Sequence, residues 1–355
     1  MNDVNTSKPA IELKGLIKIF GSQASSFVGP VQRGMRKDEL LAQHNHVLGL
    51  RDINMAIPEG SIQVIMGLSG SGKSTLIRHI NRLIEPSAGE VLISGVDVLK
   101  MSREQLRDFR QTQTAMVFQK FALFPHWTVL ENTGYGLLLR GVAESKRVET
   151  ARYWIERVGL KGFENRYPDQ LSGGMQQRVG LARALTNDAP ILLMDEAFSA
   201  LDPLIRTDMQ SILLELQSEL KKTIVFITHD LDEALRLGDQ ITILRDGVII
   251  QQGRSDDIIL RPADDYVAKF VKEVNRARFI HVSNIMRPLS EADSTEGPRI
   301  GVDASLEAAA QLLRQSEAGS VRVVDRLGKI VGILDMNLLL NAMVMPAEAP
   351  GSQTL

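Results

Sequence analysis

The chain has 355 residues and a formal net charge of -2 at pH 7, which allow a full domain and a smaller second one and exclude a basic field for nucleic acid. It contains no cysteine, which excludes disulfides, thiolate metal sites and cysteine nucleophiles. Its first ten residues are polar and its apolar runs are short, so we expect neither an export signal nor a membrane-spanning helix.

The first predicted elements are two strands, at residues 11–19 and 47–57, that flank a polar, charged insertion at about 21–46. Within the insertion, RGMRKDELLAQ predicts one short helix. Polar amphipathic segments usually face water. Two interpretations therefore stay open: a solvated surface excursion or a contact with a partner.

Three short apolar runs then follow, and directly after each run come residues that can bind a ligand or take part in catalysis. IQVIM precedes Gly67, ILLM precedes Asp195 and Glu196, and IVFI precedes Thr228 and His229. Continuous runs rich in Ile, Val and Leu are typical of strands buried on both faces of a parallel sheet. After Asp202-Pro203, apolar residues at helical spacing predict a helix. The order predicts an α/β fold with ligands beyond the carboxyl ends of the strands.

The segment GLSGSGKST follows the first of these runs and fits the phosphate-loop pattern. Its glycines allow backbone N–H groups to surround phosphate oxygens, Lys73 reaches the outer phosphates, and the Ser74 hydroxyl can ligate Mg²⁺. The predicted nucleotide-binding residues here are Gly67, Ser69, Gly70, Ser71, Gly72, Lys73, Ser74 and Thr75.

The residues after the other two runs complete a predicted phosphate site. Mg²⁺ prefers carboxylate and phosphate oxygens, so Asp195 suits the metal. Its neighbour Glu196 is then free to orient or deprotonate an attacking water. At the third strand, His229 is predicted to contact the outer phosphate.

With these motifs in place, the sequence resembles the ATP-binding subunits of ABC transporters from about residue 11 to residue 274. LSGGMQQR resembles the family signature, SALD at 199–202 its D-loop, and Gln119 its Q-loop glutamine. Phe20 stands where the family stacks an aromatic ring on adenine. The resemblance implies a mostly parallel core sheet, an antiparallel β subdomain and a helical subdomain. It also implies hydrolysis of MgATP with Glu196 as general base. Gln119 and His229 would sense the γ-phosphate, and Gln119 would also be a metal ligand.

The stretch LSGGMQQRVGLARAL reads as a second helix start that can hold an anion, although the chain already has a phosphate loop. In the family, the signature helix of one copy closes over the nucleotide of another. The resemblance therefore implies that Ser172, Gly173 and Gly174 act on the ATP of a second copy in a homodimer.

Aromatic residues concentrate in residues 119–132, in a chain that is only 5% aromatic. Core packing is one interpretation, and a docking surface for an integral membrane permease is the other. The resemblance implies a peripheral position on the cytoplasmic side of the plasma membrane. A substrate-binding protein would be an indirect partner, and we expect no nucleic-acid partner.

The long insertion, the phrases VIMGLSGSGKST and MDEAFSALDPLIR, and the C-terminal length resemble importer subunits for glycine betaine, proline betaine, proline or choline. Two alternatives are a soluble ABC ATPase acting on ribosomes or nucleic acid, and an importer subunit for another small solute.

The predicted domains are a nucleotide-binding domain at 1–275, a small α/β domain at 276–345 and a disordered tail at 346–355. IMRP, SLEAAAQLL, VRVVD and KIVGILD in the small domain resemble a cystathionine-β-synthase (CBS) module. Relatives usually carry two such modules and this chain has room for one. The single module either pairs with its copy in the dimer or is simply structural.

Overall fold

The computed structural model describes residues 9–290, 293–316 and 319–343. The chain forms two compact units, and each is built from two stretches. Unit 1 comprises Met1–Asp230 and Thr242–Ile249, and unit 2 comprises Leu231–Ile241 and Ile250–Leu355.

Unit 1 contains most of the regular structure. Its helices are α1 (Val28–Gln32), α2 (Lys37–His44), α3 (Lys73–Ile80), α4 (Arg103–Thr112), α5 (Val129–Leu139), α6 (Glu144–Arg157), α7 (Gly173–Thr186) and α8 (Pro203–Leu220). Its strands are β1 (Pro9–Phe20), β2 (Val47–Pro58), β3 (Ile62–Met66), β4 (Ala88–Ile93), β5 (Val96–Asp97), β6 (Thr114–Val117), β7 (Ile191–Asp195) and β8 (Thr223–Thr228). The chain passes between the units within β9 (Gln240–Arg245) and β10 (Val248–Gly253).

A six-stranded sheet in the order β10-β9-β3-β8-β7-β6 carries the residues of interest. The pairs β3 with β8, β8 with β7, and β7 with β6 are all parallel. Every residue of β3, β7 and β8 is buried, as their continuous apolar runs predict. The predicted parallel sheet is therefore confirmed, and the special residues follow its carboxyl ends.

A second, four-stranded sheet has the order β2-β1-β4-β5 with antiparallel pairs throughout. It matches the antiparallel subdomain that the family resemblance implies. The helices α5, α6 and α7 pack against one another and correspond to the implied helical subdomain. No helix in the described part of the chain is both long and apolar enough to cross a bilayer.

The insertion between β1 and β2 is folded onto the antiparallel sheet. Its predicted helix is confirmed as α2, but a 3-10 turn at Ala24–Phe27 and the short α1 also form. Val31 and Leu40 are completely buried and pack with Ile17, Ile19 and Leu48. Most other residues of the insertion are exposed or half-buried, so Val31 and Leu40 are exceptions within a solvated excursion, because they cover apolar side chains of the antiparallel sheet.

Unit 2 contains α9 (Leu231–Leu237), α10 (Ser255–Leu260), α11 (Asp265–Val271), α12 (Arg276–Phe279), α13 (Leu306–Ser316) and α14 (Met336–Met343). Its sheet joins β11 (Arg299–Gly301), β12 (Ser320–Val324) and β13 (Ile330–Asp335) in that order. The helices and strands predicted here from SLEAAAQLL, VRVVD and KIVGILD are present. The predicted tail at 346–355 lies outside the described residues.

Candidate functional site

The phosphate loop joins β3 to α3 and contains two glycines whose positions admit no side chain. Gly67 has φ +151° and Gly72 has φ +104°, conformations that other residues disfavour. A Cβ at Gly67 would lie 2.2 Å from the Leu244 carbonyl oxygen, and one at Gly72 would lie 2.7 Å from that of Gly49. The loop backbone is thus held closely against β9 and β2, and α3 begins directly after it.

The other predicted loop residues present polar groups around this turn. Ser69 and Gly70 are exposed and Thr75 is half-buried. Ser71 is buried, and its Oγ has no hydrogen-bond partner among the described residues. A buried hydroxyl without a partner costs free energy that a phosphate oxygen would recover. The polar groups of the loop are therefore suited to binding a polyphosphate.

Lys73 places a buried ammonium group at the start of α3. Its Nζ donates to the carbonyl oxygens of Gly67 at 2.8 Å and Leu68 at 3.1 Å, and lies 3.7 Å from Glu196 Oε1. Burial lowers the pKa of Lys73 because desolvation disfavours the charged ammonium, and the nearby Glu196 carboxylate partly opposes this shift. Such a cation gains more from an adjacent anion than an exposed lysine does.

The two predicted metal ligands Ser74 and Asp195 lie side by side. Ser74 Oγ donates to Asp195 Oδ1 at 2.8 Å, and the Asp195 side chain is only 5% exposed. Arg78, which sequence reasoning missed, donates from Nη2 to Asp195 Oδ2 at 3.1 Å. The sequence could have indicated Arg78, because it lies four residues after Ser74 and therefore on the same face of α3.

A hydroxyl and a carboxylate are the oxygen donors that Mg²⁺ prefers. The part of the chain that the structure describes holds no cluster of three or more His, Cys, Asp or Glu side chains that could bind a metal unaided. This agrees with the usual binding of Mg²⁺ through one or two protein oxygens together with substrate phosphates and water. Gln119, the third predicted ligand, is hydrogen-bonded to Glu196 rather than to either of the other two.

Three predicted site residues converge on the carboxylate of Glu196. Gln119 donates from Nε2 to Glu196 Oε2 at 3.0 Å, and His229 Nδ1 lies 3.7 Å from the same oxygen. Lys73 approaches the other oxygen, as described above. Glu196 itself has φ +46°, and its backbone N–H donates to Ile227 O at 3.2 Å. The left-handed backbone at this non-glycine residue is typical of functional sites held by their surroundings.

Phe20 ends β1 with a partly exposed ring. The ring is 39% exposed, and Lys18 Nζ lies 4.9 Å from its centroid. A Cβ at Gly49 would lie 2.7 Å from Phe20 Cε2, so Gly49 contacts both this ring and the phosphate loop at Gly72. The ring is therefore near the loop and available for stacking.

The signature segment begins a separate helix. Ser172 is the N-cap of α7, and its Oγ accepts a hydrogen bond from the Met175 backbone N–H at 3.3 Å. Ser172 and Gly173 are exposed, and Gly174 is half-buried. The hydrogen bonds of Ser172 are with residues of its own helix. The predicted residues around Glu196 are therefore held together without a hydrogen bond from Ser172.

The predicted aromatic segment forms a cluster of half-buried rings. Phe124 lies 5.1 Å from Trp127 and 4.6 Å from Tyr135, measured between ring centroids. Asn132 is buried and organises the turn, because its Oδ1 accepts from the Phe124 N–H at 2.8 Å and its Nδ2 donates to the Trp127 carbonyl at 3.0 Å. Next to the cluster is a cavity of about 290 Å³, lined in part by Phe118, Phe124, Tyr135, Leu139, Arg183 and Asn187.

Comparison with known proteins places this site in a family. Residues 50–199 match the ABC transporter family. The glycine betaine transport ATP-binding protein OpuAA of Bacillus subtilis is 49% identical over 91% of this chain and 76% of its own length. The chain belongs to the ATP-binding subunits of ABC transporters.

Further relatives of this ATP-binding subunit carry similar names. The glycine betaine/proline betaine transport system ATP-binding protein ProV of Escherichia coli is 46% identical, covering 94% of this chain and 82% of that protein. The dimeric structure of MJ0796, a bacterial ABC transporter cassette, superposes with a TM-score of 0.60 at 33% identity, covering 69% of this chain and 98% of that one.

These findings confirm the predicted family, the ABC-type P-loop fold and ATP hydrolysis as the enzymatic activity. The ATP-binding subunit functions with a transporter, so the alternative of a soluble ABC ATPase acting on ribosomes or nucleic acid loses its support.

Proposed function

We propose that this chain hydrolyses MgATP at the site around Glu196 and thereby powers the import of small quaternary ammonium solutes. The observation that carries the proposal is the convergence of Lys73, Gln119 and His229 on the Glu196 carboxylate. The hydrogen-bonded pair of Ser74 and Asp195 is adjacent, because Asp195 directly precedes Glu196 in the chain.

Binding of ATP begins with the phosphate loop. The backbone N–H groups of residues 67–75 and the first turn of α3 favour the negative charge of the triphosphate. Lys73, now 3.7 Å from Glu196, exchanges that carboxylate for the outer phosphates. The Phe20 ring stacks on the base and contributes about 0.5–1.5 kcal/mol.

Ser74 and Asp195 would hold Mg²⁺, and Gln119 would offer its amide oxygen as a further ligand. The ion, when bound, neutralises charge on the phosphate oxygens and orients them. Arg78 fixes the Asp195 carboxylate through the bond to its Oδ2, which leaves the remaining lone pairs of Asp195 for the metal.

Glu196 is the general base. Once Lys73 is engaged by phosphate, the Glu196 carboxylate is free to orient a water molecule and accept its proton as the water attacks the γ-phosphorus. Gln119 and His229 flank the carboxylate and contact the γ-phosphate or the attacking water. His229 has an exposed side chain (57%), which suits a group that engages only when the substrate is present.

The site is completed by a second copy of the chain. Ser172 and Gly173 are exposed at the N-terminus of the 14-residue helix α7, a favourable position for an anion, and Ser172 forms its hydrogen bonds with Met175 and Gln176 of its own helix. We propose that Ser172, Gly173 and Gly174 cap the γ-phosphate bound by the partner copy. The dimeric structure of MJ0796 supports a homodimer.

A permease of the membrane docks on residues 119–132. The rings of Phe124 and Trp127 are half-buried and lie 5.1 Å apart, and Phe124 borders a cavity, as suits the anchor residues of a partner helix. Because the docking segment begins at Gln119, phosphate chemistry at Glu196 can reach the permease. With a permease docked there, the chain would lie on the cytoplasmic face of the membrane, and a substrate-binding protein would be an indirect partner.

The solute class is supported by the names of the relatives. They name glycine betaine, proline betaine, carnitine and trimethylamine N-oxide, which share a fully substituted, positively charged nitrogen. We further propose domains at 1–275 and 276–345, the second a single CBS-type module, which the helices α13 and α14 on the β11–β13 sheet support.

The test is the substitution Glu196→Gln in the full-length chain. It removes the base and keeps the shape of the side chain, so ATP should still bind, the dimer should accumulate in size-exclusion chromatography, and turnover should fall by about 10²-fold or more. Glu144→Gln, at the exposed start of α6, is the matched control and should hydrolyse ATP normally. A Glu196→Gln protein with wild-type turnover would refute the assignment.

A second measurement tests the solute. A strain that lacks this chain should lose ATP-dependent uptake of labelled glycine betaine and choline, and recover it with the wild-type gene but not with Glu196→Gln. Equal recovery by both would show that uptake does not depend on Glu196, and no loss in the strain that lacks the chain would show that the solute is wrong.

A further inference from the structure

The loop after β6 is held in a conformation that its residues rarely adopt. Phe121 and Ala122 both have φ +51°, a region where non-glycine residues persist only when their surroundings hold them. Two residues upstream, Gln119 contacts Glu196 at 3.0 Å and Ser199 Oγ at 3.5 Å. One end of this short segment is therefore in the ATPase site.

Arg183 of α7 holds the other end. Its Nη1 donates to the Ala122 carbonyl oxygen at 2.7 Å, and its Nη2 donates to that of Phe121 at 3.0 Å. The guanidinium holds two separate donor nitrogens in one rigid plane, so each of the two carbonyl oxygens has its own donor in a fixed geometry. Burial lowers the pKa of Arg183 because the surrounding protein desolvates its charge, so the two carbonyl dipoles stabilise a group that would otherwise be costly to bury.

Phe121 lies along one face of α7. A Cβ at Gly173 would lie 3.7 Å from Phe121 Cζ, and one at Gly180 would lie 3.7 Å from the Phe121 carbonyl oxygen. Residues 173, 180 and 183 are separated by seven and three positions and share a face of the helix. The same residue therefore contacts the exposed start of α7 with its ring and the middle of α7 with its backbone.

We propose that Arg183 is a positioning residue that couples the two ATP sites of the dimer. By fixing Phe121 and Ala122 to α7, it makes a displacement of Gln119 at one nucleotide move Gly173 at the other. The inference rests on the proposed function, since it requires Gln119 at one phosphate and the start of α7 at the phosphate of the partner copy.

The test is Arg183→Met in the full-length protein, with ATP hydrolysis measured against ATP concentration. The wild type should show a Hill coefficient above about 1.5, and the variant a value near 1. Its kcat should fall at least about tenfold, while binding of a fluorescent ATP analogue to the dilute protein changes by less than about twofold. A variant that keeps the wild-type Hill coefficient would overturn the proposal.

The matched control is Arg178→Met on the same helix. Arg178 Nη1 donates to the Val158 carbonyl oxygen at 2.9 Å, so this change also removes an arginine–carbonyl bond of α7 but leaves the loop alone. It should keep the cooperativity of the wild type. Equal loss of cooperativity in both variants would mean that Arg183 acts only by stabilising α7.

Ala122→Gly, added to Arg183→Met, separates loop geometry from packing. Glycine adopts the left-handed conformation readily, so the double variant should recover part of the lost kcat and Hill coefficient. No recovery would contradict a role in holding this turn.

Glu196→Gln separates this inference from the function beneath it. If Glu196→Gln forms an ATP-dependent dimer but Arg183→Met remains cooperative, the coupling alone is wrong. If Glu196→Gln never dimerises with ATP, the two-copy site is wrong and the coupling falls with it.

Discussion

Replacing Gly72 by alanine tests whether the phosphate loop depends on the close approach of three backbones. A Cβ at this position would lie 2.7 Å from Gly49 O, 2.9 Å from Leu50 Cδ2 and 3.6 Å from Gly247 Cα. The first contact is with backbone, which cannot rotate away as a flexible side chain can. The backbone of Gly72 is also left-handed, with φ +104°.

The expected cost follows from these two features. Left-handed backbone costs an alanine about 1–2 kcal/mol, and forcing extra volume into a packed region costs about 1–3 kcal/mol more. Gly72→Ala should therefore destabilise unit 1 by about 2–5 kcal/mol, a large part of the 5–15 kcal/mol typical of a folded domain.

Urea unfolding followed by tryptophan fluorescence measures this loss selectively. The sequence has two tryptophans, Trp127 and Trp154, and both belong to unit 1. The control is Gly141→Ala, since Gly141 has φ +69° but nothing within 4 Å of its Cβ position. It should lose only the conformational share, about 1–2 kcal/mol. If Gly72→Ala is no less stable than Gly141→Ala, the steric argument is refuted.

Three further predictions follow from the site and its core. Ser74→Ala removes the hydroxyl beside Asp195, so the Mg²⁺ concentration for half-maximal ATPase activity should rise about tenfold or more; an unchanged Mg²⁺ titration would exclude Ser74 as a ligand. Phe20→Ala should weaken ATP binding by about three- to tenfold in calorimetry, whereas Phe20→Tyr should retain it. Equal affinities of the wild type and Phe20→Ala would show that the adenine ring does not stack on Phe20. Burial lowers the pKa of His79 from 6.5 to about 4, so between these pH values the unfolded chain binds a proton at this residue that the folded chain does not bind. The stability of unit 1 should consequently fall by about 3 kcal/mol as the pH drops from 6.5 to 4, and urea titrations of His79→Leu should lack this dependence.

Much of the site could be predicted because its residues follow buried parallel strands. An apolar run such as ILLM has one stable place in an α/β protein, the middle of the sheet, and this fixes where the next residue emerges. Asp195, Glu196 and His229 were therefore predictable as neighbours of the phosphate loop. The contacts of Glu196 with Lys73 and of Asp195 with Ser74 agree with that prediction.

Other features left no local pattern to recognise. Arg183 binds the carbonyl oxygen of a residue 62 positions earlier, and nothing in the helical spacing of α7 singles out that arginine. Val31 and Leu40 lie in short helices whose other residues are mostly exposed or half-buried, and the sequence does not show which sheet surface they cover. Both features depend on surfaces that exist only after the sheets and helices have packed.

The division of the chain between its two units limits how the protein can be cut. The polypeptide leaves unit 1 after Asp230, returns for Thr242–Ile249 and leaves again. A stop codon after Ile249 would leave residues Leu231–Ile241 without the rest of unit 2, to which they belong. A stop codon after Asp230 would delete β9 and β10 from the six-stranded sheet. No single truncation or gene fusion point separates these units cleanly, so swapping the C-terminal region between homologues requires exchange of two segments at once.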